Sequence, residues 1–159
     1  MCVIVDMCCI PHVFDTKSTS HDDFSPLLGW INSANGRLLV GGTKYNSELR
    51  KMTKYFSIFL NYQRQGKLVR LDDNSVDAFA AIAKRKEPSK QFNDEHLVAM
   101  VAVSGCRVVC TNDAEAMPFI RRRSLYESCP HRPPKIYNKK SHKHLCCKDH
   151  IAACCRAEN

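Results

Sequence analysis

At 159 residues the chain is one ordinary domain in length, long enough to close a hydrophobic core around a central sheet and too short for a second full domain. Its 44% hydrophobic and 25% charged residues lie near the globular average, which excludes a disordered or fibrous chain. The formal charge of +8 is concentrated at one end: residues 121–159 hold ten Lys/Arg against three acids, and the first 120 hold fourteen against thirteen.

A basic element on a near-neutral body points to a polyanionic partner, most often nucleic acid; the bland alternative is a solubilising tail. The opening "MCVIVDMCCIPHVFD" lacks a basic n-region and is interrupted by Asp6 and Pro11, so it is not read as a secretory signal. The longest apolar run, "LVAMVAV", is too short to span a bilayer. A cytoplasmic location, no membrane partner and reduced thiols at the ten cysteines are therefore expected.

In chain order, "CVIV" at 2–5 reads as a central parallel strand buried on both faces and ending at Asp6. A short helical turn follows from Cys8 to about Phe14. "HDDFSPLLGWINSA" then reads as a helix capped by Asp22 or Asp23 and broken at Gly36, with "RLLV" as a second strand. From Thr43 the spacing of Leu49, Met52, Phe56, Phe59 and Leu60 predicts one long amphipathic helix carrying Glu48 near its start. "KLVRL" is a third strand, and a helix capped by Asp72 or Asp73 runs to Pro88.

"NDEHLVAMVAVSG" is an apolar helix with Asn93 as its cap and Gly105 at its end, and "RVVC" at 107–110 is a buried strand. Asn112 with Glu115 has the form of a capping box for the next helix. Pro130, Pro133 and Pro134 mark turns before "KIY", an edge-strand candidate, and a Cys/His-rich helical stretch closes the chain. Strands alternating with helices predict an α/β fold around a parallel sheet, with residues 1–125 as the core and 126–159 as a basic extension packed on the same domain.

Functional crevices of parallel sheets lie beyond the carboxyl ends of the strands. Asp6 and Asp113 each follow a strand, Glu48 sits one turn into the helix after "LLVGG", and Asp94 opens another helix at the same end. Four converging carboxylates raise one another's pKa unless a cation neutralises them, and Mg²⁺ or Mn²⁺, hard ions that take oxygen ligands, are the expected remedy. Individually, Asp94 and Asp113 also read as helix first-turn acids and Glu48 as a solvated helix residue. Asp6 is harder to read blandly, because a carboxylate behind a fully apolar strand is costly without a partner.

The order "VIVD" with Asp6, "GGTKYNSEL" with Glu48, "FNDEHLVAMVAVSG" with Asp94 and "VVCTNDAEAM" with Asp113 resembles the PIN domain, the fold of VapC-type toxin ribonucleases, over residues 2 to about 120. The resemblance implies a three-layer α/β/α domain and a Mg²⁺- or Mn²⁺-dependent endoribonuclease with an RNA substrate. Asp6 and Asp94 would be the central ligands, Glu48 and Asp113 would complete the site, and Thr111 and Asn112 would support it. A toxin of this kind has an antitoxin or other protein inhibitor as partner, and a homodimer is compatible with the fold. The alternative is a catalytically inert PIN-like module that binds RNA or protein.

RNA-backbone contacts are expected from Arg121, Arg122, Arg123, Lys139 and Lys140, although "RRRS" also reads as a solvated helix end. On a helix Cys147, His150 and Cys154 would share a face. Their spacing matches no paired CxxC finger, so thiols are the main reading of this cluster and a structural zinc site the lesser one. Cys8, Cys9 and His12 offer a thiol and an imidazole without an evident orienting third group, so a Cys/His hydrolase is set aside.

Overall fold

The computed structural model describes residues 1–155. Its centre is β1 (Cys2–Val5), four residues all fully buried, as expected for a β-branched strand covered on both faces. β2 (Arg37–Val40) and β3 (Leu68–Arg70) lie on one side of it, β4 (Val108–Cys110) and β5 (Lys135–Tyr137) on the other. The order is β3-β2-β1-β4-β5 and every pairing is parallel, with Cys2 opposite Arg37 and Ile4 opposite Val109. Successive crossovers run first one way from β1 and then the other, so right-handed connections put helices on opposite faces of the sheet.

The helices are α1 (Ile10–Phe14), α2 (His21–Asn32), α3 (Thr43–Lys51), α4 (Thr53–Arg64), α5 (Asp73–Lys86), α6 (Glu95–Ser104) and α7 (Ala116–Ile120). In α6, Leu97 to Ala102 are all buried, the pattern of a helix apolar all round, and α6 packs heavily against α5. Among the described residues no helix is long and apolar enough to cross a membrane.

The structure corrects several local expectations. The long helix expected from Thr43 is two helices: Met52 leaves helical geometry at φ −87°, ψ 58°, and α4 restarts at Thr53. The apolar spacing continues across the break, which is why periodicity alone does not reveal it. Asp72 caps α5 through Ser75 N at 2.8 Å, as expected. Asp22 and Asp23 do not cap α2, which begins earlier, at His21; the carboxylate of Asp23 instead accepts the amide of Lys140 at 3.0 Å. Asn93 does not cap α6, whose capping position is Asp94 without a side-chain hydrogen bond.

The basic C-terminal region is built into the sheet. β5 is its edge strand, with Val109 opposite Ile136 and Thr111 N donating to Tyr137 O at 3.2 Å. The closing helical stretch is instead a set of short 3-10 turns at Lys140–Leu145, Lys148–His150 and Ala153–Cys155. Cys2 on β1 and Cys155 in the last of these turns are brought side by side, and eight other cysteines are free.

Replacing Ile136, 3% exposed on β5, by Ala is expected to lower the unfolding free energy by about 2–5 kcal/mol, read as a shift in urea midpoint. A midpoint unchanged from wild type would mean that the C-terminal region is dispensable to the domain.

Candidate active site

β1 is the point where the sheet reverses direction, so the crevice between the loops leaving β1 and β4 is the place where an open α/β sheet binds ligands. Asp6 stands there only 7% exposed. Its amide donates to Cys110 O at 2.9 Å, which locks the end of β1 to the end of β4. The fully buried Thr111, one residue beyond β4, donates its hydroxyl to Asp6 Oδ2 at 2.6 Å, and the Cys8 thiol donates to the same oxygen at 3.3 Å. The desolvation that makes a buried carboxylate costly is offset by these two donors.

Thr111 also accepts the amide of Asp113 at 3.0 Å, so one hydroxyl sets both acids beyond β4 and β1. The Asp113 carboxylate in turn accepts the amides of Glu115 and Ala116 at 2.8 and 3.1 Å and starts α7. The capping box expected from Asn112 and Glu115 does not form; Asp113 does the capping and Asn112 is exposed. Asp94 lies half-buried at the start of α6. Burial first, and then the charges of Asp6, Asp113 and Glu48 against the opposing Lys44, push its carboxyl up to about 6. The Glu48 carboxyl on α3 is likewise raised, by burial first and then by Asp6 and Glu95 against Lys44 and Lys51. The four acids therefore share one electrostatic neighbourhood, as their order along the chain suggests.

Two neighbours of the acids escape a reading of the sequence. Lys44 donates to Asn93 O and, at 3.2 Å, to Glu95 Oε1, which places an ammonium between α3 and α6 beside the acids. His96, 2% exposed, points Nε2 to within 3.8 Å of Glu48 Oε2, and neither of its ring nitrogens has a hydrogen-bond partner. Burial first, and then Lys44, hold its pKa down at about 3, so it is a neutral imidazole. Lys44 lies in an unremarkable helix start, and His96 is masked by the apolar run around it. A groove of about 450 Å³ lined by Lys44, Glu48, Lys51 and Glu95 opens beside them.

The carboxylate oxygens suit a hard divalent cation in kind. Their spacing is another matter: among the described residues no three Asp, Glu, His or Cys side chains form a group that could hold a metal ion together. Asp6 and Asp113 are fixed by the hydrogen bonds above, whereas Glu48 and Asp94 are half-exposed and hold no such bonds, so closing a metal site would fall to these two. The thiol and imidazole of the first loop are not a catalytic pair. His12 Nδ1 is turned to Ser18 Oγ at 2.8 Å, and the Cys8 thiol is driven far up by its contact with Cys9 and by burial.

The basic residues are dispersed. Arg122 is committed to an ion pair with Glu87 and stacks over Phe119, 4.8 Å from the ring centroid. Arg123, Lys139 and Lys140 are exposed, and Arg121 borders a groove that also holds Lys135, His142 and His144. In the C-terminal turns Cys147 Sγ lies 3.2 Å from His150 Nδ1, but Cys154 turns to Ser104 O at 3.6 Å, so the three do not share one face. No family model, curated protein or solved structure matches the chain.

The raised Asp94 carboxyl has a thermodynamic consequence. The folded chain binds this proton more tightly than the unfolded one, so the group's contribution to stability is greatest below its ordinary value of 3.8. That contribution declines as pH rises toward about 6 and stays low above it. In chelator, Asp94→Asn is therefore expected to exceed wild type in stability at pH 7 by about 1–2 kcal/mol after allowance for solvent screening, and to match it near pH 4. A pH-independent difference in urea unfolding would refute this reading of the cluster.

Proposed function

We propose that the chain is a metal-dependent endoribonuclease of the PIN type, acting as a toxin of a toxin–antitoxin pair or as a defence or RNA-processing enzyme. The observation that carries the proposal is the gathering of Asp6, Glu48, Asp94 and Asp113 at the reversal point of a parallel sheet, where Asp94 feels the charge of the other three. Support comes also from the cost of the arrangement. A fold that needed only to bind would gain nothing from half-buried acids that repel one another.

Asp6 and Asp94 would be the central holders of Mg²⁺ or Mn²⁺, with Glu48 and Asp113 completing the set. A cation bound there would acidify a water and oppose the negative charge that develops on the phosphate oxygens during hydrolysis. The protein's own contribution is positional. Thr111 fixes the rotamer of Asp6 and the backbone of Asp113, and Lys44 holds α3 and α6 together through Glu95 and Asn93. His96 is kept neutral, so it adds no positive charge to the binding of a cation.

One observation favours a second reading, an inert module that binds RNA or protein: the described acids do not stand together at metal-holding distance. The two readings separate in one set of measurements. Purified protein with labelled single-stranded RNA is expected to cleave in Mn²⁺ and not in chelator. Asp6→Asn and Asp94→Asn should each lower the rate by about a thousandfold or more. Mn²⁺ should raise the melting temperature of wild type more than that of Asp94→Asn, since a ligand stabilises only the state that binds it. RNA binding without cleavage, and an equal Mn²⁺ effect on both proteins, would establish the inert module instead.

A further inference from the structure

A second cleft lies at the other end of the sheet, where β4 and β5 begin. Its volume is about 720 Å³, within the range of small-ligand sites, and it is lined by Arg107, His131, Arg132, Lys135, His144 and His150. Arg107 immediately precedes β4 and Lys135 opens β5; Lys135 N donates to Arg107 O at 2.8 Å, so the two cationic residues are fixed on adjacent strands. Arg107 reaches across the cleft to donate to Asp149 O at 3.0 Å. His131 lies against Gly105, where a Cβ would stand 2.7 Å from the imidazole, and the missing side chain is what admits the ring.

Three Arg/Lys and three imidazoles thus face one another across a concave surface with a single carboxylate, Asp149, in its lining. Gathering the positive charges of Arg107, Arg132 and Lys135 in one cleft is unfavourable for the isolated chain and raises the local concentration of anions there. Guanidinium groups match the oxygens of a phosphate with paired donors, and lysine adds a compact charge. Neither Arg132 nor Lys135 takes part in an ion pair among the described residues. The Cys147–His150 pair at the cleft wall offers soft metal donors, but it finds no third ligand there among the described residues.

We propose that this cleft is a phosphate-binding site, taking phosphate groups of a single-stranded polynucleotide or of a free nucleotide or polyphosphate. It stands apart from the acid cluster, and its existence does not depend on the nuclease reading.

The test uses the full chain in chelator, so that binding is read whether or not the protein cleaves RNA. A labelled single-stranded RNA is titrated by fluorescence anisotropy at several salt concentrations, and inorganic tripolyphosphate and a mononucleotide by calorimetry. Wild type is expected to bind at least one of them. Arg132→Ala with Lys135→Ala should weaken that binding by about tenfold or more, and should flatten the salt dependence on RNA by about 0.7 in slope per lost phosphate contact. Arg107→Ala, which also loosens the Asp149 turn, serves as a second variant, with circular dichroism confirming the fold of each.

RNA binding that tripolyphosphate does not compete identifies the polymer as the source; tight tripolyphosphate or nucleotide binding without RNA binding identifies a free phosphate. Failure of wild type to bind any probe, or unchanged binding in the double variant, overturns the proposal. So does one zinc per chain by elemental analysis that Cys147→Ser loses.

Discussion

The hydroxyl of Thr111 holds a position on which both the sheet and its crevice depend. It donates to Asp6 at 2.6 Å and accepts from the amide of Asp113 at 3.0 Å, so it joins the ends of the two strands that meet where the sheet reverses. Without that donor a carboxylate 7% exposed would face the interior with only a thiol for a partner. A thiol is a weak donor, so the hydroxyl supplies most of the compensation. The same constraint explains why this end of the molecule can carry acids at all: the buried one is compensated locally by Thr111, and Glu48, Asp94 and Asp113 are each partly exposed.

Lys44 is the cation that bears on most of the groups in the crevice. Lys44 opposes the upward shift of both Asp94 and Glu48 and helps to hold His96 neutral. Its ammonium is spent on Asn93 O and Glu95, which bind α3 to α6 without quenching the cluster. A carboxyl held near 6 next to this lysine is a group whose ionisation remains sensitive to any added positive charge. That sensitivity is a property of the arrangement itself, whichever ligand the crevice receives.

The central strand was legible because "VIVD" combines a β-branched run with an abrupt charge, and burial of such a run on both faces requires a parallel sheet. The acids at the carboxyl edge followed from topology: each lies just beyond a strand or at the start of a helix, and parallel crossovers bring those positions to one end. What escaped was decided by tertiary contacts. The helix break at Met52 carries no apolar interruption. Asp113 displaced Asn112 as a cap because the amides of Glu115 and Ala116 face its carboxylate. His96 sits two residues after Asp94 inside an apolar helix, where its burial reads as packing and its approach to Glu48 depends on α3, forty-eight residues earlier.

Charge counted along the sequence suggested a basic tail, and the fold changes what that charge can do. β5 and the packing of Cys155 beside Cys2 carry the segment back to the sheet, so Lys135 and Arg132 are attached to a strand and its approach rather than to a free chain. A flexible tail loses conformational entropy whenever it is ordered against a partner, whereas cations already held on adjacent strands have met most of that cost during folding. The distribution is also polar along the sheet, with acids at the carboxyl ends of β1 and β4 and the Arg107, Arg132 and Lys135 cleft at the amino ends of β4 and β5. At about 3.3 Å per residue, a three-residue strand separates these ends by about 10 Å, close to one Debye length at moderate salt. Salt attenuates the coupling between the two ends without abolishing it, and least of all through the sheet that separates them.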